Sequence, residues 1–301
     1  MASKEMEALK VGMKMMMEKG FAPKFDGGMD PIRLREIVQA AQERMATEPD
    51  VEFLPKTYAG VESEISMPKE AKEDYMILYI HGGGLICGNA FSSRGYASML
   101  AGETKRPVIS LSYRLAPENP FPAAVDDCFA VYRAVLAEYP DTPIFLIGES
   151  GGGYLSIVTA MKCRDNGVKM PAAVVPYSTP LEFCRKLNRS FEGNEDFTVT
   201  PEGLAALGDF YVTEQYQGNI YAEPYYDDMH GLPPMLLAWD ENESLAVDSN
   251  ILVDKLKKSG IETECYSYPH CFHAFATAGR GTPESYEVLQ NTVRFFEKHK
   301  G

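Results

Sequence analysis

The stretch PIFLIGESGGG, residues 143–153, contains the strongest structural signal in this 301-residue chain. Its apolar run predicts a buried β-strand, and residues 151–166 after it have the pattern of a helix. The turn between them has the form G-x-S-x-G, in which a serine on a strained strand-to-helix turn projects its hydroxyl from the sheet edge. Side chains at Gly148 and Gly152 would collide with the neighbouring strand and helix. We therefore predict that Ser150 is a nucleophile.

Apolar, strand-like runs alternate with helical patterns on both sides of this turn. The predicted strands cover residues 51–58, 61–67, 75–80, 108–113, 143–147, 172–175, 235–239 and 263–268. The predicted helices cover residues 3–20, a segment that begins at 30–31, and residues 92–104, 122–139, 151–166, 201–211, 246–259 and 283–299. Near-continuous apolar strands that alternate with helices predict an α/β fold, with a mostly parallel central sheet and helices on both faces.

The length suits a single large α/β domain with a modest cap. We predict that residues 1–48 form an N-terminal helical cap segment and that residues 49–301 form the catalytic domain. A stretch of about 178–230 interrupts the alternation of strands and helices with aromatic, acidic and glycine residues. We expect this stretch to be a cap-like insertion that folds over the carboxyl edge of the sheet, where open α/β folds bind ligands.

A second glycine-rich motif, HGGG at residues 81–84, also follows a predicted strand. The tetrahedral intermediate of acyl transfer carries an oxyanion, which needs about two preorganised N–H donors. A glycine run lets the backbone come close to a substrate and point its amides inward. We assign the amides of Gly83 and Gly84 as donors, together with that of Gly151. His81 is expected to fix the loop by hydrogen bonds and not to act as a base.

The segment HCFHAF, residues 270–275, supplies two candidate bases late in the chain. Histidine suits general-base catalysis because its ordinary pKa of about 6.5 lets it accept and return a proton at neutral pH. We predict that His273 is the base and that His270 is a loop residue. A His-Cys-x-His metal site is the alternative. No third and fourth ligands cluster nearby in the sequence, so we predict no metal.

The acid that orients the histidine is expected after the preceding strand, in the segment DENESL at residues 240–245. The chain order is then nucleophile, acid, histidine, which is the order that accompanies G-x-S-x-G turns. Asp240, Glu241 and Glu243 compete for this role, and their spacing alone does not separate them.

The composition excludes several functional classes. A formal net charge of −14 makes the chain repel phosphate backbones and anionic lipids, so we predict neither nucleic-acid nor polybasic membrane binding. No stretch approaches the roughly 18 consecutive apolar residues of a membrane helix, so no membrane insertion is expected. The six cysteines form no C-x-x-C pair, and the first residues lack the apolar core of a signal peptide. We therefore expect free thiols and a cytoplasmic location.

Taken in order, the motifs resemble the hormone-sensitive-lipase-like branch of the α/β-hydrolases. They are HGGG at 81–84, YRLAPE at 113–118, FPAA at 121–124 with Asp126, GESGG at 148–152 and HAF at 273–275. The resemblance extends from about residue 55 to the end, and the N-terminal helices match the family cap by position only. It implies the α/β-hydrolase fold with a helical cap, hydrolysis of a small-molecule carboxylic ester by a Ser–acid–His triad, and no cofactor.

Two features depart from the family pattern. The family usually has aspartate before the nucleophile, whereas this chain has Glu149, for which we expect a structural, supporting role. The family acid is usually an aspartate in a D-x-L context. Aligning Glu243 with it makes the acid a glutamate, with Asp240 and Glu241 in reserve. The resemblance also implies that Asp126 and the segment before it support the oxyanion loop and the nucleophile region.

The family preference for small acyl groups predicts a serine carboxylesterase that acts on acetyl to hexanoyl esters. An amidase, carbamate hydrolase or lactone hydrolase with the same triad is the alternative within enzymes. A catalytically inactive ligand receptor on the same fold is the alternative outside enzymes, although such proteins typically lose the histidine and this chain retains His273. By family analogy, a homodimer is an option.

Overall fold

The structure, a computed structural model, describes residues 1–42 and 45–301. Its strands are β1 (Val51–Tyr58), β2 (Val61–Pro68), β3 (Met76–Ile80), β4 (Val108–Leu111), β5 (Ile144–Glu149), β6 (Ala173–Tyr177), β7 (Met235–Asp240) and β8 (Thr263–Tyr268). Its α-helices are α1 (Lys4–Glu18), α2 (Pro31–Gln42), α3 (Arg94–Thr104), α4 (Ala123–Glu138), α5 (Gly151–Asp165), α6 (Pro201–Tyr211), α7 (Ala246–Lys258) and α8 (Pro283–His299). Each of these elements overlaps a stretch predicted for it from the sequence. None of the described helices is both long enough and apolar enough to span a bilayer.

One eight-stranded sheet forms the centre of the described residues, in the order β1-β2-β4-β3-β5-β6-β7-β8. Both pairings of β2 are antiparallel, whereas the pairings among β3 to β8 are parallel. The carboxyl ends of the parallel strands therefore meet at one edge, and the residues that follow β3, β5, β7 and β8 come together there. This is the mostly parallel sheet that the sequence predicts.

Helices cover both faces of the sheet, as predicted. Successive residues of β3 alternate between two clusters of buried side chains, with Ile77 and Tyr79 in one and Leu78 and Ile80 in the other. Buried residues of α3 and α8 join the first cluster, and buried residues of α4, α5 and α7 join the second. Because side chains alternate across a strand, the two clusters are the two faces of the sheet. Burial on both faces explains the near-continuous apolar runs in the sequence.

Helix starts follow capping signals in the sequence. The carboxylate of Asp30 accepts a hydrogen bond from the amide of Ile32 at 2.9 Å, and Pro31 is the first residue of α2. At the start of α8, the hydroxyls of Thr282 and Ser285 accept hydrogen bonds from each other's backbone amides. These bonds satisfy amides that have no partner inside the helix.

The N-terminal segment contacts two loops at the carboxyl edge of the sheet. The amide of Phe25 donates a hydrogen bond at 2.8 Å to the carbonyl of Thr198, which lies in the β6–β7 segment (residues 178–234). On α1, the Nζ of Lys10 donates at 2.7 Å to the carbonyl of His270, in the loop after β8. These contacts fix the N-terminal segment beside the edge where the predicted site residues converge.

Candidate active site

Ser150 occupies the turn between β5 and α5, as predicted. Its backbone angles are φ 53° and ψ −124°, a positive-φ conformation that residues other than glycine rarely adopt. The amide of Ser150 donates a hydrogen bond at 2.8 Å to the carbonyl of Tyr177, at the end of β6. Helix α5 begins at the next residue, Gly151, so the positive end of its dipole lies beside the serine. The fold therefore holds this serine in a strained turn at a helix N-terminus.

The close approach of three chain segments makes glycine necessary on both sides of Ser150. A Cβ atom on Gly148 would lie 2.5 Å from the carbonyl oxygen of Ile80, in the adjacent strand β3. A Cβ atom on Gly152 would overlap the same oxygen and would lie 2.5 Å from the carbonyl oxygen of His81. Both obstacles are backbone atoms, which cannot swing aside as a side chain can. The steric reason predicted for these two glycines is confirmed.

We expect Gly152→Ala to lower the free energy of unfolding by about 3 kcal/mol or more, because the added methyl group must push β3 and α5 apart. Gly12→Ala is the matched control, since Gly12 lies within α1 and has no neighbouring heavy atom within 4 Å of the added Cβ. There alanine is expected to stabilise the protein by about 0.5–1 kcal/mol through its higher helix propensity. Urea denaturation measures both values. A Gly152→Ala variant as stable as the wild type would contradict the packing of this turn.

The loop after β3 carries the predicted oxyanion donors. Gly83 has a φ of 102°, which favours glycine, and its carbonyl accepts hydrogen bonds from the amides of Ile86 and Cys87, both at 3.1 Å. These bonds fix the tight turn of the loop. No hydrogen bond within the described residues uses the amides of Gly83, Gly84 or Gly151. These three N–H groups therefore have no hydrogen-bond partner among the described residues, as donors of an oxyanion hole require, and Gly83 lines the cavity described below.

His81 contacts the backbone of its own loop. Its Nδ1 donates to the carbonyl of Gly82 at 2.7 Å, and its ring stacks on Tyr113 with the ring centroids 4.2 Å apart. The hydroxyl of Tyr113 donates in turn to the carbonyl of His81 at 2.9 Å. Burial lowers the pKa of His81 to about 4, so the ring stays neutral at physiological pH. These contacts make His81 and Tyr113 a support for the glycine loop.

Glu149 connects the serine turn with the glycine loop. Its Oε1 accepts a hydrogen bond from the amide of Gly82, and its Oε2 accepts one from the hydroxyl of Tyr79, both at 2.6 Å. Burial raises the pKa of Glu149 to about 7, against the lowering effect of these two bonds. Glu149 directly precedes Ser150, and Gly82 directly precedes Gly83. The hydrogen bond between them therefore ties the serine turn to the glycine loop.

His273 and Glu243 form a buried, hydrogen-bonded pair. The Nδ1 of His273, in the loop after β8, donates at 2.8 Å to the Oε2 of Glu243, in the loop after β7. Burial of the ring opposes its protonation, but the charges of Glu243, Asp196 and Glu149 outweigh this effect and raise the pKa of His273 above its ordinary value. With Nδ1 engaged, Nε2 is the ring atom that can accept a proton.

The reserve candidates for the acid and the base have other partners. The buried carboxylate of Asp240, at the end of β7, accepts hydrogen bonds from one backbone amide of the loop that follows it and one of the histidine loop, both at 3.2 Å. Glu241 accepts a hydrogen bond from the hydroxyl of Ser267 at 2.8 Å. The Nδ1 of His270 lies 3.2 Å from the Oε2 of Glu195, at the surface. These residues therefore hold the loops together rather than face the serine.

Asp126 lies on the exposed side of α4 and contacts the helix that follows the nucleophile turn. Its carboxylate pairs with Lys162 of α5 at 2.7 Å. The buried neighbour Asp127 instead binds the amide and the guanidinium of Arg114, at 2.8–3.1 Å. The sequence did not single out Asp127. To tell which of two adjacent acids on a helix is buried, one must know to within one residue which side of the helix faces the core.

Ser150 and His273 line one cavity of about 250 Å³ at the carboxyl edge of the sheet. Glu149, His81 and Gly83 line it too. Residues of the N-terminal segment complete the wall: Pro23, Phe25 and Val38. A neighbouring cavity of about 330 Å³ also contains Glu149 in its wall. A larger groove of about 800 Å³ is lined by none of the predicted site residues.

One acidic residue near the histidine was not predicted from the sequence. A carboxylate oxygen of Asp196, an oxygen of Glu243 and a ring nitrogen of His273 all lie within 4.8 Å of one another. Asp196 belongs to the β6–β7 segment, where residues 191–200 have neither a strand nor a helix pattern. No local signal could therefore predict where this side chain lies.

Known proteins resemble this chain in sequence and in structure. A family model described as alpha/beta hydrolase fold matches residues 77–277. An esterase from Acinetobacter venetianus is 28% identical over 268 residues, which cover 88% of each chain. An acetyl-hydrolase from Streptomyces hygroscopicus is 29% identical over 227 residues, which cover 75% of this chain and 76% of that protein. The crystal structure of an esterase from the bacterial hormone-sensitive lipase family has a TM-score of 0.88 at 27% identity and covers 100% of both chains. The chain therefore belongs to the hormone-sensitive-lipase-like α/β-hydrolases and is a carboxylic ester hydrolase.

Proposed function

We propose that the chain is a serine carboxylesterase for short-chain acyl esters, acetyl to hexanoyl. Ser150 is the nucleophile, His273 is the general base, and Glu243 is the acid that orients the base. The open amides of the glycine loop and of Gly151 form the oxyanion hole. The observation that carries this proposal is the buried 2.8 Å hydrogen bond between His273 and Glu243, beside a cavity that Ser150 and His273 share.

Each of these residues has a step in the proposed mechanism. The Oγ of Ser150 attacks the ester carbonyl, and the Nε2 of His273 takes the hydroxyl proton of the serine. The carbonyl oxygen becomes an oxyanion, which the open N–H groups stabilise. The C–O bond of the ester then breaks, and the departing alcohol takes the proton from His273. Water attacks the acyl-enzyme by the same route, which releases the carboxylic acid and returns the proton to Ser150. Glu243 stabilises the imidazolium in both halves of the reaction.

The size of the cavity favours short acyl chains. Its volume of about 250 Å³ is below the range of about 300–1,000 Å³ that is usual for pockets holding drug-sized ligands. Phe25 and Val38 close part of the cavity with apolar surface. Similarity to the acetyl-hydrolase from Streptomyces hygroscopicus, over 75% of this chain, supports the lower end of the proposed acyl range.

We also propose that residues 1–48 act as a cap and that the insertion of about 178–230 completes it. Phe25 and Val38 line the cavity, so the N-terminal segment forms part of its wall. The hydrogen bond of 2.8 Å from Phe25 to Thr198 joins this segment to the insertion. A substrate in the cavity would therefore lie against the N-terminal part of the cap, which the insertion holds in place through this bond.

Rates on a series of p-nitrophenyl esters test the proposed acyl range. We expect kcat/KM for the butyrate to exceed that for the dodecanoate by at least about tenfold, because the longer chain has methylene groups that this cavity cannot bury. We also expect the butyrate ester to react faster than the matched p-nitroanilide. Equal rates for butyrate and dodecanoate would contradict the acyl range. Anilide cleavage as fast as ester cleavage would favour an amidase.

A further inference from the structure

Asp196 lies beside the His273–Glu243 pair, and the mechanism above gives it no role. Its Oδ1 accepts hydrogen bonds from the amides of Thr198 and Val199, both at 3.0 Å, and from the hydroxyl of Thr198 at 2.7 Å. A side-chain oxygen that binds the amides two and three residues ahead fixes its own turn. The half-buried carboxylate is therefore held in one orientation.

The second oxygen of Asp196 reaches the loop that carries Glu243. Its Oδ2 accepts a hydrogen bond at 3.1 Å from the amide of Ser244, the residue after Glu243. The hydroxyl of Ser244 donates in turn to the carbonyl of Val199 at 2.8 Å. The turn around Asp196 and the acid loop are thus joined at two points, so a shift of one displaces the other.

The charge of Asp196 also acts on the ring of His273. A carboxylate oxygen of Asp196 lies within 4.8 Å of a ring nitrogen. Burial disfavours the protonated ring of His273, and three acidic groups favour it. Glu243 faces the ring from the loop after β7, Asp196 faces it from the β6–β7 segment, and Glu149 faces it from the end of β5. Acidic groups on three separate elements therefore act on the ring, and those of Glu243 and Asp196 lie within 4.8 Å of it.

We propose that Asp196 is a positioning residue for the catalytic histidine, which anchors the acid loop through Ser244 and places a second negative charge beside the ring of His273. This proposal rests on the triad proposed above. In the free enzyme, the second carboxylate makes the ring easier to protonate. In the transition state, the same charge stabilises the imidazolium that forms when Ser150 loses its proton.

The charge of Asp196 predicts a displacement of the acid limb of the pH profile. His273 must be neutral to act as a base, so kcat/KM falls as the pH drops below the pKa of this ring in the free enzyme. A negative charge raises that pKa, and its removal lowers it. An opposite charge within about 4–6 Å shifts a pKa by about 1–3 units, and a half-buried group belongs at the low end. We expect Asp196→Asn to move the acid limb down by about one pKa unit and to lower kcat on the plateau several-fold.

The experiment compares pH profiles of p-nitrophenyl butyrate hydrolysis for the wild type, Asp196→Asn and two controls. Glu195→Gln removes a neighbouring charge that faces His270. Thr198→Val keeps the charge of Asp196 but removes the hydroxyl that donates to it at 2.7 Å. We expect both controls to keep the wild-type acid limb. Thermal unfolding shows whether each variant is folded, and Asp196→Ser, which retains an acceptor for the turn, replaces Asp196→Asn if that variant does not fold.

An acid limb that stays in place after the loss of the charge would overturn the proposal. The same displacement in Thr198→Val would also overturn it, because loop geometry rather than charge would then set the limb. If the proposed triad itself is wrong, the result differs: His273→Gln would then remain active, whether residue 196 is aspartate or asparagine.

Discussion

Replacing Ser150 with alanine is expected to lower kcat by about a million-fold. The substitution removes the Oγ atom that forms the acyl-enzyme, so covalent catalysis is lost in both half-reactions. Alanine tolerates the φ of 53° about as well as serine does, so the turn and the stability of the protein are expected to stay close to those of the wild type. Hydrolysis of p-nitrophenyl butyrate gives kcat. A fluorophosphonate is expected to label the wild type at Ser150 and to leave the variant unlabelled.

Ser156→Ala is the matched control for this substitution. Ser156 lies on α5, the helix that follows Ser150, and is fully buried, and its hydroxyl donates to the carbonyl of Gly152 at 2.8 Å. Its loss is expected to change the free energy of unfolding by about 1 kcal/mol and kcat by no more than a few-fold. Wild-type hydrolysis by Ser150→Ala would contradict the proposed nucleophile.

A loss of similar size, about a million-fold in kcat, is expected for His273→Gln. The glutamine amide can still donate to Glu243, but it cannot accept the proton of Ser150 and return it to the leaving alcohol. Adding His273→Gln to Ser150→Ala is expected to cause little further loss, because nucleophile and base act as one unit. Turnover of the same ester by both single variants and by the double variant measures this. A double variant slower by the product of the two losses would show that the residues act separately.

The control for the base is His270→Gln. Its ring is 43% exposed and faces Glu195, and the bond from Lys10 goes to its backbone carbonyl, which the substitution retains. Activity within a few-fold of the wild type is expected. The opposite result, with activity lost in His270→Gln and kept in His273→Gln, would assign the base to the other histidine.

Most of the fold could be predicted because its signals are local. The strand, turn and helix around Ser150 form one continuous motif, and each flanking glycine is required by a backbone atom close to it. The loop at 81–84 is equally compact in the sequence. The alternation of apolar runs and helical patterns then gave the layers, because strands buried on both faces have few polar positions.

The acid and its surroundings could not be predicted in the same way. Asp240, Glu241 and Glu243 lie within four consecutive residues, and family resemblance rather than spacing favoured the last of them. The fold separates them, because the backbone after β7 brings Glu243 against the histidine ring while Asp240 binds backbone amides. Asp196 comes from a different segment with no regular pattern, so its position depends on tertiary packing alone.

The hydrogen bond from Lys10 to the carbonyl of His270 joins residues that are 260 positions apart in the chain. Ser3 makes a comparable connection to Glu284, across 281 positions. Contacts that close such long loops carry a high entropic cost, so they form after the sheet has already brought both ends together. Detachment of α1 would remove the bond to His270 but leave the amides of Cys271 and Ala274 bound to Asp240 and Ser178. The N-terminal helix thus adds a long-range tie to a loop that the carboxyl edge of the sheet already holds.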